Sequence, residues 1–190
     1  MEALVLGRPS PEREHVVREL GPVGSVHVCQ DQTWGCAELV DGCPLDHHDV
    51  DVAVVVADQL GAVEPAGVAC AHRARIPVLA VGCDIDEPAA AHATKRIGFG
   101  DDVVAAAAEA AADASAYVDA VELALSTHLA SGESVEVRAE RTPRSVVITL
   151  VADLDDRRAG TLADRARDAV RRYDTRVAVI DVKVVPTAAG

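Results

Sequence analysis

Aromatic residues are scarce in this chain: one Trp, one Phe and two Tyr among 190 residues, or 2%. A core must then be built from Val, Ala, Leu and Ile. That palette favours a β-branched sheet covered by Ala-rich helices that approach closely. The same scarcity removes the stacking surfaces used to bind single-stranded nucleic acid. Lysine is nearly absent too, occurring only at 95 and 183. Long apolar runs are missing: AVVVA and VVAAAA fall far short of the ~20 residues that span a bilayer, so no membrane insertion is expected. Glu2 stands where a secretory leader has its basic end, and LVLG is too short for its apolar stretch. The expected location is cytoplasmic, where five cysteines remain reduced thiols. Their odd number also argues against a full disulfide framework.

What is present is acid. The net charge of −13 is unevenly spread. Residues 1–132 hold 7 Lys/Arg against 21 Asp/Glu, a balance of −14, and residues 133–190 hold 11 against 10, a balance of +1. An acidic first part repels nucleic-acid phosphates, so no nucleic-acid partner is expected. The asymmetry also places a boundary near residue 132. With 49% hydrophobic and 26% charged residues, the composition is that of a soluble globular chain.

Strand-like and helix-like segments alternate through the first part. ALVLG (3–7), SVHVC (25–29), DVAVVVA (51–57), IPVLAVG (76–82) and IGFG (97–100) read as five strands. The third has the continuous Val character of a strand covered on both faces. Ser10 can cap the first helix, with Pro11 at its first position. AGVACAHRAR and EPAAAHATKR read as further helices, the second capped by Asp84 or Asp86. A long Ala-rich helix then runs from 101, broken or bent near Ser115. Parallel connections need crossovers, so the expected fold class is α/β, a flavodoxin/receiver-like five-stranded parallel sheet of order 2-1-3-4-5. After Gly132 the pattern becomes β-β-α-β: SVEVRAE and SVVITLVA alternate around an RTPR turn, then an amphipathic helix leads to RVAVIDVKVV. The expected division is 1–112, a connecting helix 113–132, and 133–190. A unit of fewer than 60 residues is marginal alone and is expected to pack on the helix, the first domain or a second copy.

Residues 1–112 resemble the receiver domain of response regulators. HDVDVAVVVAD looks like the strand carrying the phosphorylated aspartate, IPVLAVG like strand four, and IGFGDDVV like strand five and the start of the last helix. The chemistry has gone: Gly7 and Arg8 replace the acidic pair, and Val56 stands at the phosphoacceptor position, with Asp58 two places later. Gly82 and Cys83 replace the switch hydroxyl, and no lysine ends strand five. The resemblance implies a degenerate receiver that holds no Mg²⁺ and takes no phosphoryl group. The stretch SVVITLVADLDDRRAGTLADRARDAVRRYDTRVAVIDVKVV resembles the alkaline-shock, or envelope-stress-response, family of Gram-positive bacteria. That resemblance implies protein–protein association or scaffolding without catalytic residues.

Three thiols fall at even spacing in CQDQTWGCAELVDGCPLDHHD: Cys29, Cys36 and Cys43. With His47 and Cys83 they form a candidate ligand set at the carboxyl edge of the sheet, and zinc or an iron–sulfur cluster would suit it. The C-x6-C-x6-C spacing matches no zinc template, and the alternative makes Cys29, Cys70 and Cys83 small buried hydrophobes. A 21-residue connection from 30 to 50 is long for a loop, and Trp34 and Leu39 argue for an ordered flap. The resulting expectation is a non-enzymatic regulatory or scaffolding protein, with protein partners or a homo-oligomer formed through the C-terminal module. A thiol-based metal or redox sensor is the alternative.

Overall fold

The computed structural model describes residues 1–29, 43–47, 49–57, 65–83, 91–142 and 144–187. The chain divides into two compact units, Met1–Ala111 and Ala112–Gly190. The first holds β1 (Glu2–Leu6), α1 (Pro11–Leu20), β2 (Ser25–Val28), α2 (Pro44–His47), β3 (Val52–Val56), α3 (Pro65–Arg73), β4 (Val78–Val81), β5 (Lys95–Ile97) and α4 (Val103–Ala112). Its five strands form an all-parallel sheet of order β2-β1-β3-β4-β5, the flavodoxin-like arrangement the alternation predicts.

Both faces of this sheet are covered. On one, Val5, Val54, Leu79 and Val81 meet Val16 and Leu20 of α1 and Ala106, Ala107 and Ala110 of α4. Alanine at those α4 positions lets the helix approach closely. On the other face Leu4, Leu6, Val55 and Val78 meet Leu45 of α2 and Val68 and Ala71 of α3. Double coverage explains why every residue of β3 is buried and why its sequence lacks polar alternation. The α1 start follows the capping expectation: the Ser10 side chain accepts a hydrogen bond from the Arg13 amide, with Pro11 at the first position.

One segment differs from the sequence reading. Lys95 and Arg96, read as helix, belong to β5, which enters IGFG only at Ile97. Pairing with β4 decides this: Lys95, Arg96 and Ile97 lie opposite Leu79, Ala80 and Val81. The Lys95 ammonium is held by Glu109 of α4. The long Ala-rich segment breaks near Ser115 as expected, into α4 and α5 (Ser115–Ser126), where the Asp113 carboxylate accepts from the Ser115 amide and hydroxyl. The Asp84 and Asp86 caps lie outside the described residues.

The second unit contains α5, β6 (Glu136–Arg141), β7 (Ser145–Val151), α6 (Asp156–Tyr173) and β8 (Val179–Val185). Its sheet has order β6-β7-β8, with β6 antiparallel and β8 parallel to β7. Its core joins Tyr117, Val121 and Leu125 of α5 to Val146, Ile148 and Leu150 of β7 and Leu162, Ala166 and Val170 of α6. Both helices therefore serve the same face of the sheet. Arg158 ties the start of α6 to the end of α5, donating to the Glu133 carboxylate at 2.6 and 3.0 Å and to the His128 carbonyl.

Candidate functional site

The carboxyl edge of the parallel sheet is where this architecture places its sites. The described residues that follow its first, third and fourth strands are Gly7 and Arg8, Ala57, and Gly82 and Cys83. None of them bears a carboxylate. Val56 ends β3 with 2% exposure, its side chain in the core between sheet and α1/α4. Asp58 lies outside the described residues. The switch point between β1 and β3 is tightly closed: a Cβ on Gly7, at φ 137°, would meet the Val56 carbonyl oxygen at 2.6 Å.

A cleft of about 200 Å³ opens beside that edge, between α1 and the β5–α4 turn. His15 and Glu19 line one side, Phe99, Asp101 and Asp102 the other. Its aspartates already serve the backbone. Asp101 accepts from the Gly98 amide at 2.7 Å, and Asp102 accepts from the Ala105 amide at 2.9 Å, opening α4. Phe99 lies over Gly82, which has φ 68° and no side chain to obstruct the ring.

Of the candidate ligands, Cys29 follows β2, Cys43 precedes α2, and Cys83 follows Gly82 after β4. All three are half-buried and pack, with Cys70, against the α2/α3 layer of the core. His47 closes α2. Cys36, Trp34, Leu39 and His48 lie outside the described residues, and so does most of the expected flap. The Cys29 amide donates to the Val5 carbonyl at 3.0 Å, which holds Cys29 at the end of its strand. The Cys83 thiol donates to the Val81 carbonyl at 3.8 Å. β2 and β4 are separated by β1 and β3, three strand spacings or ~14 Å. A zinc–sulfur bond is ~2.3 Å, so one ion does not bridge the two strand ends. Among the described residues no group of three or more His, Cys, Asp or Glu side chains is placed to hold a metal ion. No helix among them is long and apolar enough to cross a membrane.

The second unit presents a different kind of site. Val137 and Ala139 of β6, Val146, Ile148 and Leu150 of β7, and Ile180, Val182 and Val184 of β8 face the helices. Period-2 alternation sends their neighbours to the opposite face. Cross-strand register arranges these outer residues in rows. Glu136, Val151 and Val185 form the first, and Arg138, Thr149 and Lys183 the second. Glu140, Val147 and Asp181 form the third, and Ser145 and Val179 the last. Val179 is 58% exposed and Val185 36%. Arg138 donates to Glu136 at 2.7 Å, and this bond keeps the Glu136 carboxyl below its ordinary range. Alternation within each strand was visible in the sequence; the rows across strands were not.

No protein-family model matches the chain, and no curated protein matches it.

Proposed function

We propose that this chain is a non-enzymatic regulatory or scaffolding protein that works by association through its second unit. One observation carries the reading. The β6-β7-β8 sheet has both of its helices on one side, and its other side combines exposed Val179 and Val185 with half-buried Val147 and Val151. A small sheet with one apolar-centred face uncovered gains by burying it, at about 25 cal/mol per Å² of apolar area. The first unit supports the same reading from the side of chemistry. Buried Val56 fills the position where the receiver resemblance expects a phosphoacceptor, and a valine side chain has no oxygen to take a phosphoryl group. An alkaline-shock-like role, in stress or envelope regulation, accords with an associating module of this strand and helix order.

A photo-crosslinking residue placed at position 179 of the full chain tests this in cells. Position 123 serves as control, because Leu123 is 77% exposed on the helical side of the unit. The reading predicts a discrete adduct from 179 and none from 123. Absence of an adduct at 179, or equal labelling at both, would refute it.

A further inference from the structure

The outer face of the second sheet is complementary to itself. This inference rests on the association reading and names its partner. A row bearing Arg138 and Lys183 lies directly beside a row bearing Glu140 and Asp181, with each like-charged pair on the two edge strands. Exposed Val185 and Val179 stand at opposite ends of β8.

Two such faces can stack about a two-fold axis in two simple ways. With the axis along the strands, β6 lies over β8 of the other copy and each row lies over itself. Arg138 then opposes Lys183 and Glu140 opposes Asp181, four like-charge encounters. With the axis across the strands, between the Arg138 and Glu140 rows, each strand lies over its own copy and the rows exchange. Arg138 then faces Glu140 of the second copy, Lys183 faces Asp181, and Val185 faces Val179. Stacked sheets lie ~10 Å apart and cross at about 30°. Near the axis that rotation displaces facing residues by ~3 Å, within reach of Arg, Lys and Glu side chains. Like charges placed opposite each other in an interface penalise the first arrangement strongly.

We propose that the partner of this face is a second copy of the chain, docked as an isologous face-to-face dimer in the second arrangement. Three strands at ~4.8 Å spacing and about 20 Å of strand give a projected footprint of ~300 Å² per copy. That is below the ~800 Å² per partner of a standard stable interface. The dimer is accordingly weak and salt-sensitive, with its charge pairs setting register more than affinity.

Charge exchange tests it on the full chain by sedimentation velocity at low ionic strength. Both positions are on the exposed face, and Arg138 is 66% exposed. Arg138→Glu alone opposes Glu to Glu140, and Glu140→Arg alone opposes Arg to Arg138. Each single variant is expected to weaken self-association by about tenfold or more. Mixing the two variants in equal amounts pairs opposite charges again and restores dimer, and so does the double variant. Single variants that dimerise like the parent chain, or a mixture no tighter than its components, would overturn the proposal. A crosslink from position 179 to a protein other than this chain would leave the association reading standing and remove this one. A chain that stays monomeric and yields no crosslink removes both.

Discussion

The Tyr117 hydroxyl donates a 2.7 Å hydrogen bond to the buried Asp174 carboxylate, joining the first turn of α5 to the residue that caps α6. The two helices run antiparallel, and this bond fastens one end of the pair while Arg158 fastens the other with Glu133. The same carboxylate accepts from the Arg176 amide at 2.9 Å. Tyr173 packs edge-on against Tyr117, with ring centroids 5.2 Å apart. Two of the chain's four aromatic residues are thus spent on one junction.

Replacing Tyr117 with Phe removes the donor and leaves a buried carboxylate with one fewer partner. The expected cost is about 1.5–3 kcal/mol in urea unfolding of the second unit. Burial, and next the bond to Asp174, hold the Tyr117 hydroxyl well above its ordinary value near 10. The folded state therefore keeps its proton where the unfolded chain loses it. Stability from this group is complete below about pH 10 and falls as pH rises beyond it. Tyr117→Phe should flatten that alkaline decline, which a urea series at pH 9 to 11 measures.

Arg141 ends β6 with its side chain on the helix side of the sheet, near enough to Tyr117 to oppose the rise just described. Its Nε and Nη1 atoms are buried and make no hydrogen bond within the described residues. Apolar replacement of such a group is often neutral or stabilising. Arg141→Met is expected to raise the unfolding free energy of the second unit, measured in urea, by about 1 kcal/mol. A loss of stability would mean that the guanidinium contributes through contacts of its charge.

Gly82 and Phe99 form a steric pair: a Cβ on Gly82 would stand 2.2 Å from the ring. Gly82→Ala adds left-handed backbone strain of about 1–2 kcal/mol and also displaces the ring. In a Phe99→Ala background only the strain remains. Unfolding free energies of the two single variants and the double should therefore be non-additive, with the second substitution costing less than the first.

The parallel sheet was legible because β3 needs apolar residues on both faces, and the run from 51 to 57 supplies them. Ser10 and Pro11 marked the start of α1 by local chemistry alone. β5 was not legible. Lys95 and Arg96 carry no strand signal, and the ladder from β4 imposes the conformation. The thiols illustrate the same limit. Spacing along the chain cannot reveal that Cys29 and Cys83 follow strands three places apart, because strand order sets that distance. On the second sheet, alternation showed which residues share a face. Placing Arg138 beside Thr149 and Lys183 took the hairpin and the crossover.

Sedimentation equilibrium of the whole chain beside its Val179→Asp variant tests the central claim, self-association through the outer face of β6-β7-β8. The account predicts a mass rising with concentration from one 19.8 kDa copy toward two for the parent chain, and one copy throughout for the variant. A parent chain that remains at one copy, or a variant that associates as strongly as the parent, would contradict it.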